Sequence, residues 1–198
     1  INKNLKLSAG ISYLNGGFIQ NNKYVFRMQN GIGGKQFAED STPSKIGSKL
    51  PRHYYGADAQ LKWMHTKTSS TELRSEYWWG KQTASAASSE TPATLLTDPY
   101  YVRPFNGAFF YLLHSFDVHN QVLLKYDWYD ANSDISGKQI GVSPNTHPAD
   151  IKYSTFGLGY IHYFDENLKV LAYYDFIKNY KNDDYTSTNA IIELAQLE

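Results

Sequence analysis

Residues 152–179 read KYSTFGLGYIHYFDENLKVLAYYDFIKN, a pattern that predicts two long strands joined by a tight turn at Asp165, Glu166 and Asn167. On the second strand Leu168, Val170, Ala172, Tyr174 and Phe176 share one face. Lys169, Leu171, Tyr173, Asp175 and Ile177 share the other, because successive side chains of a strand point to opposite sides. The first face is wholly apolar and aromatic; the second mixes charge with bulk. A water-soluble sandwich can hold such a strand. Its length and its aromatic ends instead match strands of about 9–11 residues that cross a membrane as part of a barrel.

Composition agrees without deciding. The 198 residues carry a formal net charge of zero and a pI of about 7.2, so nothing attracts nucleic acid. Cysteine is absent, which excludes a disulfide scaffold and a thiolate metal site. Mean hydropathy is −0.52, and no apolar run approaches the roughly 18 residues of a transmembrane helix. A polar average is also what a membrane barrel shows, since its inner wall and outer loops are hydrophilic. Aromatics make up 16% of the chain, with 17 tyrosines against 10 phenylalanines. Tyrosine and tryptophan have an apolar body and a polar tip and collect where oil meets water. The opening INKNLKL has neither methionine nor a signal peptide's apolar core, as in a mature exported protein or an excised segment.

Taken in order, the chain alternates long and short connections. Strand one spans about residues 4–14, with Leu5, Leu7, Ala9, Ile11 and Tyr13 opposite Lys6, Ser8 and Ser12. A long segment to residue 52 contains one strand-like run, 24–28, read as a hairpin arm. Strand two, 53–65, sets Tyr55, Ala57, Ala59, Leu61 and Trp63 against Gly56, Asp58, Gln60, Lys62 and Met64. A short turn, 66–69, leads to strand three, where Leu73, Tyr77 and Trp79 oppose Glu72, Arg74, Glu76 and Trp78. The connection 81–101 is long. Strand four, 105–116, is apolar on both faces, so its register is open. The turn 117–120 precedes strand five, with Val122, Leu124, Tyr126 and Trp128 opposite Gln121, Lys125, Asp127 and Tyr129. A long polar stretch, 130–150, precedes the hairpin quoted above and its turn at 165–167, and the tail 180–198 reads as a further long loop.

Every long connection therefore falls at one end of the sheet (about 15–52, 81–101, 130–150 and 180–198). Outer-membrane barrels have this asymmetry, with short periplasmic turns and long extracellular loops. The count is about seven spanning strands. Bacterial single-chain barrels have an even number and no free edge, because unpaired backbone groups in lipid cost several kcal/mol each. The expectation is one all-β unit over 1–198, an antiparallel up-and-down transmembrane segment belonging to a larger barrel.

Several stretches resemble the C-terminal half of the phosphate-selective porin O/P-like family, particularly its Bacteroidetes members. They are LPRHYYGAD at 50–58, TELRSEY at 71–77, RPFNGA at 103–108, LLKYDWYD at 123–130 and the run 157–174. The likeness covers about residues 4–179. It implies a sixteen-stranded barrel in the bacterial outer membrane, a homotrimer, and passage of small anions or other hydrophilic solutes. Two departures stand out. The family closes on a strand ending in an aromatic residue, whereas this chain ends Leu197-Glu198. The family's N-terminal half, with the loop that narrows the pore, has no counterpart, and its ladder of Arg and Lys does not map onto these residues. Phosphate specificity is not carried over.

The residues placed on the inner, water-facing wall are Lys6, Asp58, Lys62, Glu72, Arg74, Glu76, Lys125, Asp127, Lys169 and Asp175. Mixed signs favour a weakly selective channel over a ring of one charge. The plainer reading is cross-strand ion pairing that stiffens the wall, at about 0.2–1 kcal/mol a pair. The residues placed in a lipid-facing aromatic girdle are Tyr13, Tyr55, Trp63, Tyr77, Trp79, Tyr126, Trp128, Tyr160, Tyr174 and Phe176. For these the alternatives are a sandwich core or a sugar-binding platform.

Other motifs carry less. Asp130, Asn132, Asp134 and Ser136 are spaced like a calcium loop, but Ile135 stands where its glycine belongs and Gly141 where its bidentate Glu belongs. A polar surface loop is the preferred reading. His53, His65, His114, His119, His147 and His162 lack metal-site spacing, and those near short turns suit interfacial packing. Gly31 to Gly34 lacks the context of a phosphate loop, and no serine sits in a nucleophile elbow. The sequence implies no metal, no cofactor and no enzyme. The reading is an outer-membrane porin for passive diffusion of small hydrophilic solutes or ions. A barrel serving as scaffold or receptor through its long loops is the first alternative; a soluble carbohydrate-binding β-sandwich is the second.

Overall fold

The structure, a computed structural model, describes residues 4–32, 34–90, 97, 99–136, 139–140, 146–180 and 188–196, with the backbone alone for 148, 179–180 and 188–196. Gly33, and Gly137 and Gly141 of the calcium-like loop, lie outside the described residues, as do parts of the long connections. Ten strands form one sheet: β1 (Leu5–Ile19), β2 (Val25–Gly31), β3 (Gly34–Glu39), β4 (Lys49–Met64), β5 (Ser70–Ala84), β6 (Tyr100–Ser115), β7 (Asn120–Asp130), β8 (Lys152–Tyr163), β9 (Leu168–Tyr180) and β10 (Thr188–Gln196). Eight of them follow one path, β1-β4-β5-β6-β7-β8-β9-β10. Every neighbouring pair on that path is antiparallel. The fold is an up-and-down meander, and among the described residues it is open: β1 pairs only with β4 and β10 only with β9.

Two expectations need correction. The long strands of the meander number eight rather than seven, because the tail read as a loop carries β10, laddered on β9 from Thr188↔Phe176 to Gln196↔Leu168. The strands also run further into the long connections than the apolar pattern suggested. Strand one continues to Ile19, the second starts at Lys49 and the fourth at Tyr100. There the polar sequence is held by backbone ladders and by what packs over it. The hairpin arm in the first long connection is present as β2 and β3, and β2 also pairs in parallel with Tyr100–Val102 of β6. It finds room because the β6–β7 ladder begins only at Asn106↔Asp130.

The three short turns are built alike. In each, the N–H of an aromatic residue (His65, Phe116, Phe164) donates to the carbonyl four residues on, at 2.9–3.0 Å. The next side chain (Thr66, Asp117, Asp165) accepts from two backbone N–H groups, those of 68 and 69, 119 and 120, and 167 and 168. A side-chain oxygen capping a turn in this way replaces the backbone partners lost where the strands end. All three turns lie at one end of the sheet. The long connections leave the other end.

Register settles the open face of β6. Ala108 stands opposite Tyr77 and Trp128, Phe110 opposite Ser75 and Tyr126, and Leu112 opposite Leu73 and Leu124. These residues join the apolar face. Phe109, Tyr111 and Leu113 join the charged one.

Candidate functional site

The ladders carry one apolar belt across the sheet. Leu7 meets Leu61, Leu61 meets Leu73, Leu73 meets Leu112, Leu112 meets Leu124, Leu124 meets Leu158 and Leu158 meets Tyr174. No second layer covers it among the described residues: Leu7 is 72% exposed, Ile11 91%, Leu158 49% and Phe176 50%. All ten residues placed in the aromatic girdle fall on this face.

All but Tyr174, which lies in the leucine belt opposite Leu158, fall towards one end of the sheet or the other. Towards the long connections, Tyr13 lies on Tyr55 at 5.0 Å, Tyr55 on Trp79 at 5.8 Å, and Tyr77 on Trp79 at 5.2 Å. Trp128 continues the row beside Tyr77 and Tyr126. Its Nε1 donates to Asn106 Oδ1 at 2.8 Å. Towards the short turns, Trp63 packs on His65, His65 on His114, His114 on Phe116, and His162 on Phe164. That second row was legible only in part, because it is made largely of histidine and of the aromatic that opens each turn. At about 3.3 Å per residue, Tyr55 and Trp63 stand roughly 26 Å apart along β4, close to the height of a barrel's apolar band.

All ten residues assigned to the inner wall share the opposite face. Lys62 stands opposite both Lys6 and Glu72, and Asp58 opposite Glu76. Asp175 lies beside Gly157, which faces Lys125, and Asp127 adjoins that site. Glu72 accepts from Gln60 and Arg74 and lies 3.7 Å from Lys62. Lys125 Nζ is 2.7 Å from Asp127 Oδ2. Trp78 Nε1 donates to Glu76, and Tyr173 Oη to Asp175 at 2.6 Å. Other neighbours have like charge: Asp58 opposite Glu76, and Lys6 opposite Lys62. Like charges directly opposite each other destabilise a sheet unless water screens them.

The long-connection end has a device that sequence reading missed. Arg103 projects on the charged side of β6 and is fully buried with Asp150, Nε to Oδ1 at 2.7 Å. Nη1 donates to the carbonyl of Ser85 at 2.8 Å. The guanidinium lies 5.3 Å from the ring centres of Phe37 and Tyr101. Tyr101 also stacks on Phe26 of β2 at 4.8 Å. Asp150 accepts from Asn132 Nδ2 at 3.0 Å and from the His147 N–H at 2.7 Å. Thus the β2–β3 hairpin and stretches of the second and third long connections close over one end of the charged face.

The stretch 130–150 is therefore not a simple polar surface loop. Asn132, Ile135 and Ile140 are buried. Asp130 pairs with Lys152, and Asp134 with Lys35. The calcium-like residues are engaged in holding this cap. Among the described residues no group of three acidic or histidine side chains could hold a metal.

His147 makes the cap sensitive to pH. Its ring packs edge-on to Tyr101 at 4.7 Å. Burial holds its pKa below the ordinary 6.5; Asp150 opposes that shift and the charge of Arg103 adds to it. A depressed histidine pKa means the unfolded cap binds the proton first, so stability is full above about pH 6.5 and falls as pH drops below it. Protection of the β2 and β3 amides, taken relative to intrinsic exchange at each pH, should fall between pH 7 and pH 5, and His147→Phe should remove that dependence.

No family model, curated protein or solved structure matches this chain.

Proposed function

We propose that this sheet is an arc of an outer-membrane β-barrel whose charged face lines a water-filled passage for small hydrophilic solutes or ions. The observation that carries the reading is the uncovered apolar belt, unbroken from β1 to β9 and bounded by two rows of aromatic side chains. A belt this wide on a soluble monomer exceeds ordinary exposed patches, and lipid is the solvent that suits it. The like charges that face each other on the opposite side, Asp58 with Glu76 and Lys6 with Lys62, support the same reading, since water there would screen them. Short turns at one end and long connections at the other add to it.

In this proposal the open edges at β1 and β10 are closed by further strands, sixteen in all and three barrels to an assembly, as the porin-like stretches of sequence imply. An eight-stranded barrel has an interior just filled by side chains, which leaves no passage. The mixed charges argue for weak ion selectivity. Planar-bilayer recording with the full-length protein, closing strands included, tests the reading: stepwise conductance with little preference between cation and anion is expected. Insertion without current counts against it.

One observation favours a second use of the same barrel. The cap built on Arg103 and Asp150 gives the long-connection end a fixed surface, which suits a scaffold or receptor. That use predicts a bound partner over the cap and a plugged interior.

A further inference from the structure

On the charged face, between β5, β6 and β7, lies a hollow of about 490 Å³. This is within the roughly 300–1,000 Å³ of small-molecule sites. Its lining includes Gly107, the rings of Trp78, Phe109, Tyr111 and Tyr129, and the charged side chains Glu76, Lys125 and Asp127. Two of these rings, Trp78 and Tyr129, are held. Trp78 lies across Gly56, where an added Cβ would stand 3.0 Å from the indole, and its Nε1 is tied to Glu76. Tyr129 Oη accepts from Gln82 Nε2 at 2.7 Å. The same device recurs on the neighbouring strands, where Tyr173 lies over Gly157 and Gly159 with its hydroxyl on Asp175. Glycine at these positions leaves room for a neighbouring ring to lie close to the sheet.

Fixed ring faces beside carboxylates discriminate between solutes. An anion gains little here. The one ammonium, Lys125, is already engaged by Asp127, and Glu76 adds a second negative charge. A pyranose fits both features. Its C–H face lies against an aromatic face, and its rim of hydroxyls donates to carboxylates and accepts from an ammonium. Rings fixed before the ligand arrives reduce the entropy lost on binding.

We infer that this hollow is a stacking subsite for neutral pyranose sugars. The inference rests on reading the charged face as the wall of a water-filled passage, and it adds a solute class to that reading.

Tryptophan fluorescence of the full chain in detergent tests the subsite directly, with maltotriose as probe and with glycerol and inorganic phosphate as controls. Maltotriose should give a saturable change at millimolar concentration and the controls none. Trp78→Ala should abolish the change, whereas Trp79→Phe on the opposite face should keep it. Tyr111→Ala leaves the Trp78 packing intact and should weaken binding at least tenfold. No saturable response to maltotriose, or an equal response to glycerol, overturns the inference. Bilayer recording separates it from the function it rests on. Sugar binding without any current upholds the subsite and contradicts the passage; current that maltotriose never interrupts, with no fluorescence response, upholds the passage and overturns the subsite.

Discussion

Arg103→Met should loosen the long-connection end by about 3–5 kcal/mol, the loss typical when one member of a buried ion pair is removed and the other remains. Asp150 would keep its donors from Asn132 and His147 but lose the only cation that touches it among the described residues. It would be left charged at zero exposure. Methionine fills much of the space between Phe37 and Tyr101 without the attraction of a guanidinium for ring faces. The damage should stay local, because the spanning ladders do not depend on the cap. Amide exchange in β2 and β3 should rise by orders of magnitude while β4 and β5 stay protected. Asp150→Asn added to Arg103→Met should recover part of the loss, since an amide carries no charge and its single oxygen still accepts from one of the two donors, which reach different carboxylate oxygens. If the single and double variants exchange alike, the pair is not what holds the cap.

Leu124→Arg should cost about 2–4 kcal/mol on folding into lipid, the price of an arginine at the midplane of a barrel's outer face. Leu124 lies in the aliphatic band between Leu112 and Leu158, away from both aromatic rows. Leu123→Arg is the matched control. It is one residue away on the same strand, opposite Gly159 and Leu113 on the charged face, and should cost less than half as much. Urea titration of vesicle-folded protein measures both. Equal penalties would remove the distinction between the faces.

Most of the sheet was legible because its two sides differ in chemistry. On β7 the alternation of Val122, Leu124 and Tyr126 with Leu123, Lys125 and Asp127 is enough to orient the strand. On β6 it fails, because Phe109 and Tyr111 serve the charged side as ring surface while Phe110 and Leu112 serve the apolar side. Only the ladders to β5 and β7 separate them. The strand β10 was missed for a different reason. AIIELAQ is made mostly of good helix formers, and nothing local shows that an edge of β9 awaits it. The cap was illegible because Arg103 and Asp150 are 47 residues apart. No periodicity links them; only the folded chain brings them together. Of the wall residues, the sequence supplied the charges and left out the rings, because Trp78, Tyr111 and Tyr129 read as bulk until cross-strand glycines show how they lie.

Spin labels placed singly at residues 122–127 of β7, in protein folded into lipid vesicles, test the central claim most directly. Relaxation by oxygen, which concentrates in lipid, should dominate at 122, 124 and 126. Relaxation by a water-soluble nickel complex should dominate at 123, 125 and 127. Low access to both reagents at the even positions would mean that protein covers the apolar belt, and would contradict the account.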